Sequence, residues 1–229
     1  MARRRSWWGW GFEDQALGPA QLEALGAMLA ARFGTPPGEP LAPAPVETLG
    51  LRPPRLSPPA PLEPLCSAST YDRAAHAYGR SYRDVVRGLR GEFPHPPDLV
   101  AFPRSEADVA ALLDWCAEEE AAAVPYGGGS SVVGGVECDP GGDFAGVVTL
   151  DLTRLNRVLE VDAVSRAARI QAGALGPVLE EQLRPAGLTL RHFPQSFEFS
   201  TLGGWLATRS GGHYATVLTH ADDLVESLR

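Results

Sequence analysis

The sequence predicts an α+β fold: a small parallel sheet and an antiparallel set of strands with helices, preceded by a helical, proline-rich N-terminal region. Three observations carry this. Between residues 99 and 126 a strand-like run, a helical stretch and a second strand-like run follow one another. A crossover of that length brings two strands parallel. Three further short strand-like runs, "GVVTLDL", "RVLEVD" and "ARIQAG", come at antiparallel spacing. More than half of the chain's 21 prolines fall within 34–65, which reads as an extended connector crossing a surface rather than a packed element.

The elements follow in order. Leu22, Leu25, Met28 and Leu29 stand at helical spacing. Residues 66–93 read as two helical pieces broken near Gly79. "PHPPDLVAFP" places a short strand, Leu99 to Phe102, between prolines. Ser105 is set to cap the next helix, with Asp108 three residues on. Val109, Leu112, Leu113 and Cys116 form its apolar stripe, and Glu118, Glu119 and Glu120 its wet end. "AAAVPY" is a buried strand that runs straight into "GGGSSVVGG". After the three later strands, Pro177 opens a helix that buries Val178, Leu179 and Leu183 and ends before Gly187.

Composition sets limits. The chain has 229 residues, 44% hydrophobic and 21% charged, which is ordinary for a globular protein. A net charge of -8 argues against a broad nucleic-acid-binding face. The run Arg3-Arg4-Arg5 reads as a solvated terminus. Cys66, Cys116 and Cys138 are odd in number and lack CxxC spacing, which fits free thiols in a reducing compartment. The cytoplasm is the default location. "SWWGWGF" is too short and glycine-broken for a signal-peptide core, and "VESLR" is not a peroxisomal address.

The glycine loop points to a ligand. Glycines after a parallel strand let successive backbone N–H groups converge on an anion, and phosphate suits them best. Ser130 and Ser131 add hydroxyl donors. The nucleotide-triphosphate loop needs Gly-Lys-Ser/Thr, and no lysine is present here. A dinucleotide fingerprint starting at Gly127 would place its third glycine on Val132. A plain surface turn is the competing reading. A second stretch, His192 to Tyr214, is again rich in small and hydroxyl residues, with Arg209 as an anion partner. Two such regions could hold two parts of one elongated ligand.

Other candidates have blander readings. His76, His95 and His220 lack metal-ligand spacing and read as surface or satisfied histidines. His192 has the better claim to face a ligand. Asp222 and Asp223 fit a helix start better than an acid–base pair. Trp7, Trp8 and Trp10 either face lipid or pack the terminus onto the body, and packing is favoured. No G-x-S-x-G elbow is present, which argues against an acyl-serine hydrolase.

Four stretches together carry a resemblance: "PPDLVAFPRSEADVAALL", "VPYGGGSSVVGG", "LDLTRLNRVLEVD" and "PQSFEFSTLGGWLATRSGG". They resemble the PCMH-type FAD-binding domain of the vanillyl-alcohol-oxidase/p-cresol-methylhydroxylase flavoprotein superfamily. The last is similar to the P-D-S-x-E-F-S-T-x-G-G-W-x-x-T-R pattern of its alkylglycerone-phosphate-synthase group. "WWGWG" and "STYDRAAHAYGRSYRDVVRGLRGEF" are similar to that group's N-terminal region.

The resemblance implies an FAD-binding domain of two α/β subdomains, incomplete over 94–229, preceded by an N-terminal region over 1–93 with the connector at 34–65. It implies that Pro125, Tyr126, Gly127, Gly128, Gly129, Ser130 and Ser131 cradle the FAD pyrophosphate. Gln195, Ser196, Phe197, Glu198, Phe199, Ser200 and Thr201 would line the flavin, with Trp205 walling the flavin or the sheet behind it. Thr208, Arg209, Ser210 and Gly211 would close on the flavin. Covalent relatives carry a flavin-bonding His where this chain has Ser130, so non-covalent FAD is expected and His213 is not an attachment point. Gln195 stands where Asp is common, and Leu218-Thr219 where the group has Tyr-Gly.

The chain is expected to be an N-terminal fragment, with the catalytic residues in the missing C-terminal part and no metal. The resemblance implies exchange of the acyl group of acyl-dihydroxyacetone phosphate for a long-chain alcohol, without net redox. The alternatives are an FAD-linked oxidase or dehydrogenase of a 2-hydroxy acid and an inactive flavin-binding fragment. Expected partners are a small-molecule or lipid-like substrate and no nucleic acid, with peripheral membrane contact and a homodimer of the full-length protein left open.

Overall fold

Residues 3–36, 38–216 and 220–229 are described by a computed structural model. Leu218 and Thr219 lie outside them. The first helix, α1 (Pro19–Phe33), has Pro at its N-terminus and left-handed Gly34 (φ 68) after its end. It forms as its periodicity predicts but buries none of its residues.

Next come β1 (Cys66–Ser67), α2 (Thr70–Ala75) and α3 (Tyr82–Leu89), with Gly79 in the break between the helices. Ser69 and Ser81 cap the two helices by accepting from the N–H of Asp72 and Asp84. β2 (Leu99–Ala101), α4 (Glu106–Glu118) and β3 (Ala122–Tyr126) follow. Ser105 Oγ accepts from the Asp108 N–H at 3.1 Å, the predicted cap. Leu112 and Cys116 are buried on α4 as expected, but Trp115 takes the inward position assigned to Leu113, which is 45% exposed.

β4 (Val147–Asp151) corrects one expectation. It is parallel and lies between β2 and β3, giving the sheet order β1-β2-β4-β3 with β1 antiparallel at the edge. All five of its residues are buried. It is covered on both faces although Thr149 and Asp151 interrupt the apolar run that such strands usually show. Of the three runs expected to be antiparallel, the last two, β5 (Val158–Asp162) and β6 (Ala167–Ile170), pair with each other in that sense. α5 (Gly176–Leu183) and α6 (Leu202–Ala207) pack with them around Leu179, Leu183 and Trp205.

The proline-rich connector is also corrected. It is extended, yet Val46, Leu56, Leu62 and Leu65 are buried, and Leu56, Leu62 and Leu65 belong to the core of the parallel sheet. A charge cluster fastens it there. Asp98, whose side chain is fully enclosed, pairs with Arg52 and Arg55 and accepts from the N–H groups of Arg55 (2.8 Å) and Val147 (2.8 Å). Proline carries no N–H, so a segment this rich in it can lie against a core with fewer backbone donors to satisfy.

Candidate cofactor-binding site

The parallel sheet delivers the glycine loop at the C-terminal end of β3. Beneath it Tyr126 is buried and donates its hydroxyl to the Ala75 carbonyl at 3.1 Å. His76 lies against the Tyr126 ring with centroids 4.4 Å apart. Its Nδ1 faces the Asp72 carbonyl at 2.7 Å and its Nε2 faces Asp151 Oδ2 at 2.9 Å. A carbonyl only accepts, so Nδ1 carries a proton. His76 is a satisfied, buried histidine that supports the loop from below.

The loop meets the second motif directly. A side chain on Gly127 would overlap Thr201 Oγ1, and one on Gly128 would overlap the Phe199 carbonyl oxygen. The glycines therefore serve a close approach between the two motifs as well as an open backbone. Gly128 and Gly129 are buried. Among the described residues, the N–H groups from Gly128 to Ser131 have no protein acceptor. Buried backbone donors are rarely left orphaned, and a run of them in one turn makes an anion cradle. These donors fit a pyrophosphate. Ser131 Oγ is engaged otherwise, accepting from Gly135 N–H at 3.0 Å.

The second motif is braced from behind. Trp205 Nε1 donates to Ser200 Oγ at 2.7 Å, and that hydroxyl donates to the Ser196 carbonyl at 2.8 Å. Thr201 caps α6 and bridges to Leu175 at the start of α5. Phe197 stacks on Trp205 at 6.4 Å. Glu198 is exposed and lines a cleft of about 350 Å³ with Arg3, Phe12, Gln15, Leu175, Pro177 and Val178. Gln195 and Pro125 are exposed. Thr208, Arg209, Ser210 and Gly211 follow α6 and pack towards 220–222. Arg209 pairs with Asp222 at 2.8 Å, and Gly211 bridges to His220. Here Arg209 already has its anion. His192 is 1% exposed, its Nε2 3.3 Å from Ser210 Oγ and its ring against Trp205. Burial lowers its pKa, and His220 adds to the effect.

The N-terminal segment is the part that sequence reasoning placed least well. Arg3 and Arg4 are solvated and pair with Asp14 (2.7 Å) and Glu13 (3.6 Å), as the expectation for this run requires. Arg5 is not solvated. It is half-buried, donates to the Gly128 carbonyl at 3.2 Å and lies over the Phe199 ring at 4.6 Å. Trp10 and Phe12 also contact Phe199. Trp7 is buried in its own small core with Val46, Ala74 and Ala75, so the tryptophans chiefly pack the terminus down. The signal for this contact was the aromatic run "WWGWGF" itself.

The three cysteines are free, and burial pushes each thiol up to about 11, so none is a ready nucleophile. Among the described residues no cluster of metal-ligating side chains occurs, and no helix is long and apolar enough to cross a membrane.

Comparison with known proteins identifies the family. A family model described as an FAD binding domain matches residues 97–229. The alkyldihydroxyacetonephosphate synthase of Dictyostelium discoideum is 41% identical over 157 residues, covering 69% of this chain and 25% of that protein. The same enzyme from Trypanosoma brucei brucei is 35% identical over 159 residues, covering 69% and 26%. A solved structure of alkyldihydroxyacetonephosphate synthase superposes with a TM-score of 0.79 at 32% identity, covering 96% of this chain and 46% of that one. The chain thus spans about a quarter of the length of the curated relatives it matches.

Proposed function

Because the chain belongs to the FAD-binding-domain family and FAD is its non-covalent cofactor, we propose that it is the cofactor-holding part of an FAD-dependent enzyme acting on a dihydroxyacetone phosphate ester. The observation that supports this most is the meeting of the glycine loop and the Phe199–Thr201 segment, with four unengaged loop N–H groups beside them. In this reading Gly127 to Ser131 hold the pyrophosphate, and the 195–201 segment, kept in place by Trp205, borders the flavin. Thr208 to Gly211 act from behind, by fixing the end of α6. Segment 124–135 has neither His nor Cys, which is consistent with a flavin held without a covalent bond.

When bound, FAD supplies an electrophilic isoalloxazine ring, the chemistry that the side chains do not provide. The protein's part is binding, orientation and exclusion of water. The FAD-binding unit is assigned to 94–229, with β1 of the preceding region lending an edge strand to its sheet. The synthase-like reading, exchange of an acyl group for a long-chain alcohol, draws support from the relatives' names and from the FEFSTLGGW motif.

The test is direct. The purified chain is incubated with FAD, desalted and scanned in the visible, with acid precipitation afterwards. Flavin bands that pass into the supernatant are expected. A folded but colourless chain would overturn the reading. In the full-length protein, alcohol-for-acyl exchange without an electron acceptor is expected, and flavin bleaching by a 2-hydroxy acid would favour oxidoreductase chemistry instead.

A further inference from the structure

We propose that Arg5 is the counter-charge for the pyrophosphate of FAD, carried to the glycine loop by the N-terminal strap of residues 5–12, so that cofactor binding adds to the contacts that hold the strap in place. The inference rests on the FAD reading above and extends it to a residue outside the family match, which begins at residue 97.

The argument starts from charge. A pyrophosphate carries two negative charges, and the glycine loop contains no lysine or arginine to meet them. Two arginines from elsewhere in the chain instead border the loop, Arg80 by its backbone and Arg5 by its guanidinium. Arg80 is 5% exposed, and its backbone N–H donates to the Ser131 carbonyl at 2.7 Å. Arg5 donates to the Gly128 carbonyl. Among the described residues, neither pairs with a carboxylate, whereas Arg3 and Arg4, its immediate neighbours, both do. Buried charges are ordinarily paired. A half-buried cation with most of its donors unused, beside a row of unengaged N–H groups, makes a site short of an anion.

The two arginines divide the work. Arg80 spends its guanidinium on carbonyls: Nε on Gly9, one terminal nitrogen on Tyr78 and Gly79, the other on Ser6. It therefore builds the turn of the strap. Arg5 has a single hydrogen bond from its five N–H groups, to Gly128, among the described residues. Its remaining donors are the ones an anion can use. Its backbone is fastened independently of its charge, because Tyr71 donates to the Arg5 carbonyl at 2.8 Å and Arg5 bridges to Phe12. Burial pulls its pKa down, with Tyr126, Tyr71 and Asp151 opposing and Arg80 adding repulsion, and an incoming anion would offset the cost of the buried charge. Arginine suits the role because its planar fork meets phosphate oxygens two at a time.

The test uses the full chain with FAD and with riboflavin, which has the flavin but no phosphate. For Arg5→Met, FAD affinity should fall about 10- to 100-fold, the range for a lost charge-assisted contact, while riboflavin affinity stays unchanged. Arg5→Lys should recover only part of the loss, because it restores the charge but not the two-pronged contact. In the wild-type chain, FAD should slow tryptic cleavage after Arg5, and riboflavin should not; this measurement decides the matter should Arg5→Met fail to fold. Undiminished FAD affinity in Arg5→Met, equal loss of FAD and riboflavin, or a cleavage rate indifferent to FAD would each overturn the assignment. A wild-type chain that takes up no FAD defeats the FAD reading and this one together; FAD uptake indifferent to Arg5 defeats this one alone.

Discussion

The carbonyl oxygen of Phe199 stands where a side chain on Gly128 would have to sit. The two residues are 71 positions apart, and their contact joins the glycine loop to the second motif.

Gly128→Ala should therefore destabilise the fold before any ligand is considered. The intruding Cβ meets backbone, which cannot swing aside like a flexible side chain, so a loss of about 1–3 kcal/mol is expected. Urea unfolding of the ligand-free chain checks it, and an unchanged midpoint would contradict the close approach. A carboxylate at Gly128 would mix this clash with charge repulsion. Ser130→Glu separates them, because Ser130 is only half-buried: FAD retention should drop with little change in the urea midpoint.

Asp98→Asn should cost about 3 kcal/mol, as expected when one partner of a buried charge cluster is removed. Arg52, Arg55 and two backbone N–H groups hold the Asp98 carboxyl well below the usual carboxylate range, against an opposing desolvation. A depressed carboxylate contributes stability that is present above about pH 4, the unfolded value, and is lost as pH falls below it. The gap between wild type and Asp98→Asn should thus be constant near neutrality and narrow on acidification. A gap that does not change down to pH 3 would count against the assignment.

His192 should make stability depend on pH in a different window. Its folded pKa lies below the ordinary 6.5 because it is buried, with His220 adding repulsion; its Nδ1 has no partner among the described residues. The unfolded chain takes up a proton near pH 6.5 while the folded one resists. Stability is therefore full above that pH and falls as pH drops through it, by at most about 1.4 kcal/mol per pH unit. Unfolding free energies at pH 7.5 and 5.5 should differ less in His192→Phe than in wild type. An identical difference in both would refute this account.

Most of the local structure was legible in the residues. Ser105, Pro177, Gly187 and the break at Gly79 mark element ends through capping and backbone geometry, which act within a few residues. β4 was misread because a short strand's partners lie elsewhere in the chain. Thr149 and Asp151 give it an apolar–polar alternation, the sign of a one-sided strand, which hides its burial on both faces. The proline-rich connector was read by composition alone, and its four buried aliphatic residues were overlooked.

By itself the sequence determined the two glycine-rich motifs, the helix caps and the absence of a lysine in the glycine loop, all of which are properties of adjacent residues. Only the tertiary structure decided that Gly128 meets Phe199, that Arg209 is already paired with Asp222, and that Arg5, alone of three consecutive arginines, lies against the loop. Those are long-range facts. Each depends on which distant segment occupies the space beside a residue, and no local pattern of side chains encodes that.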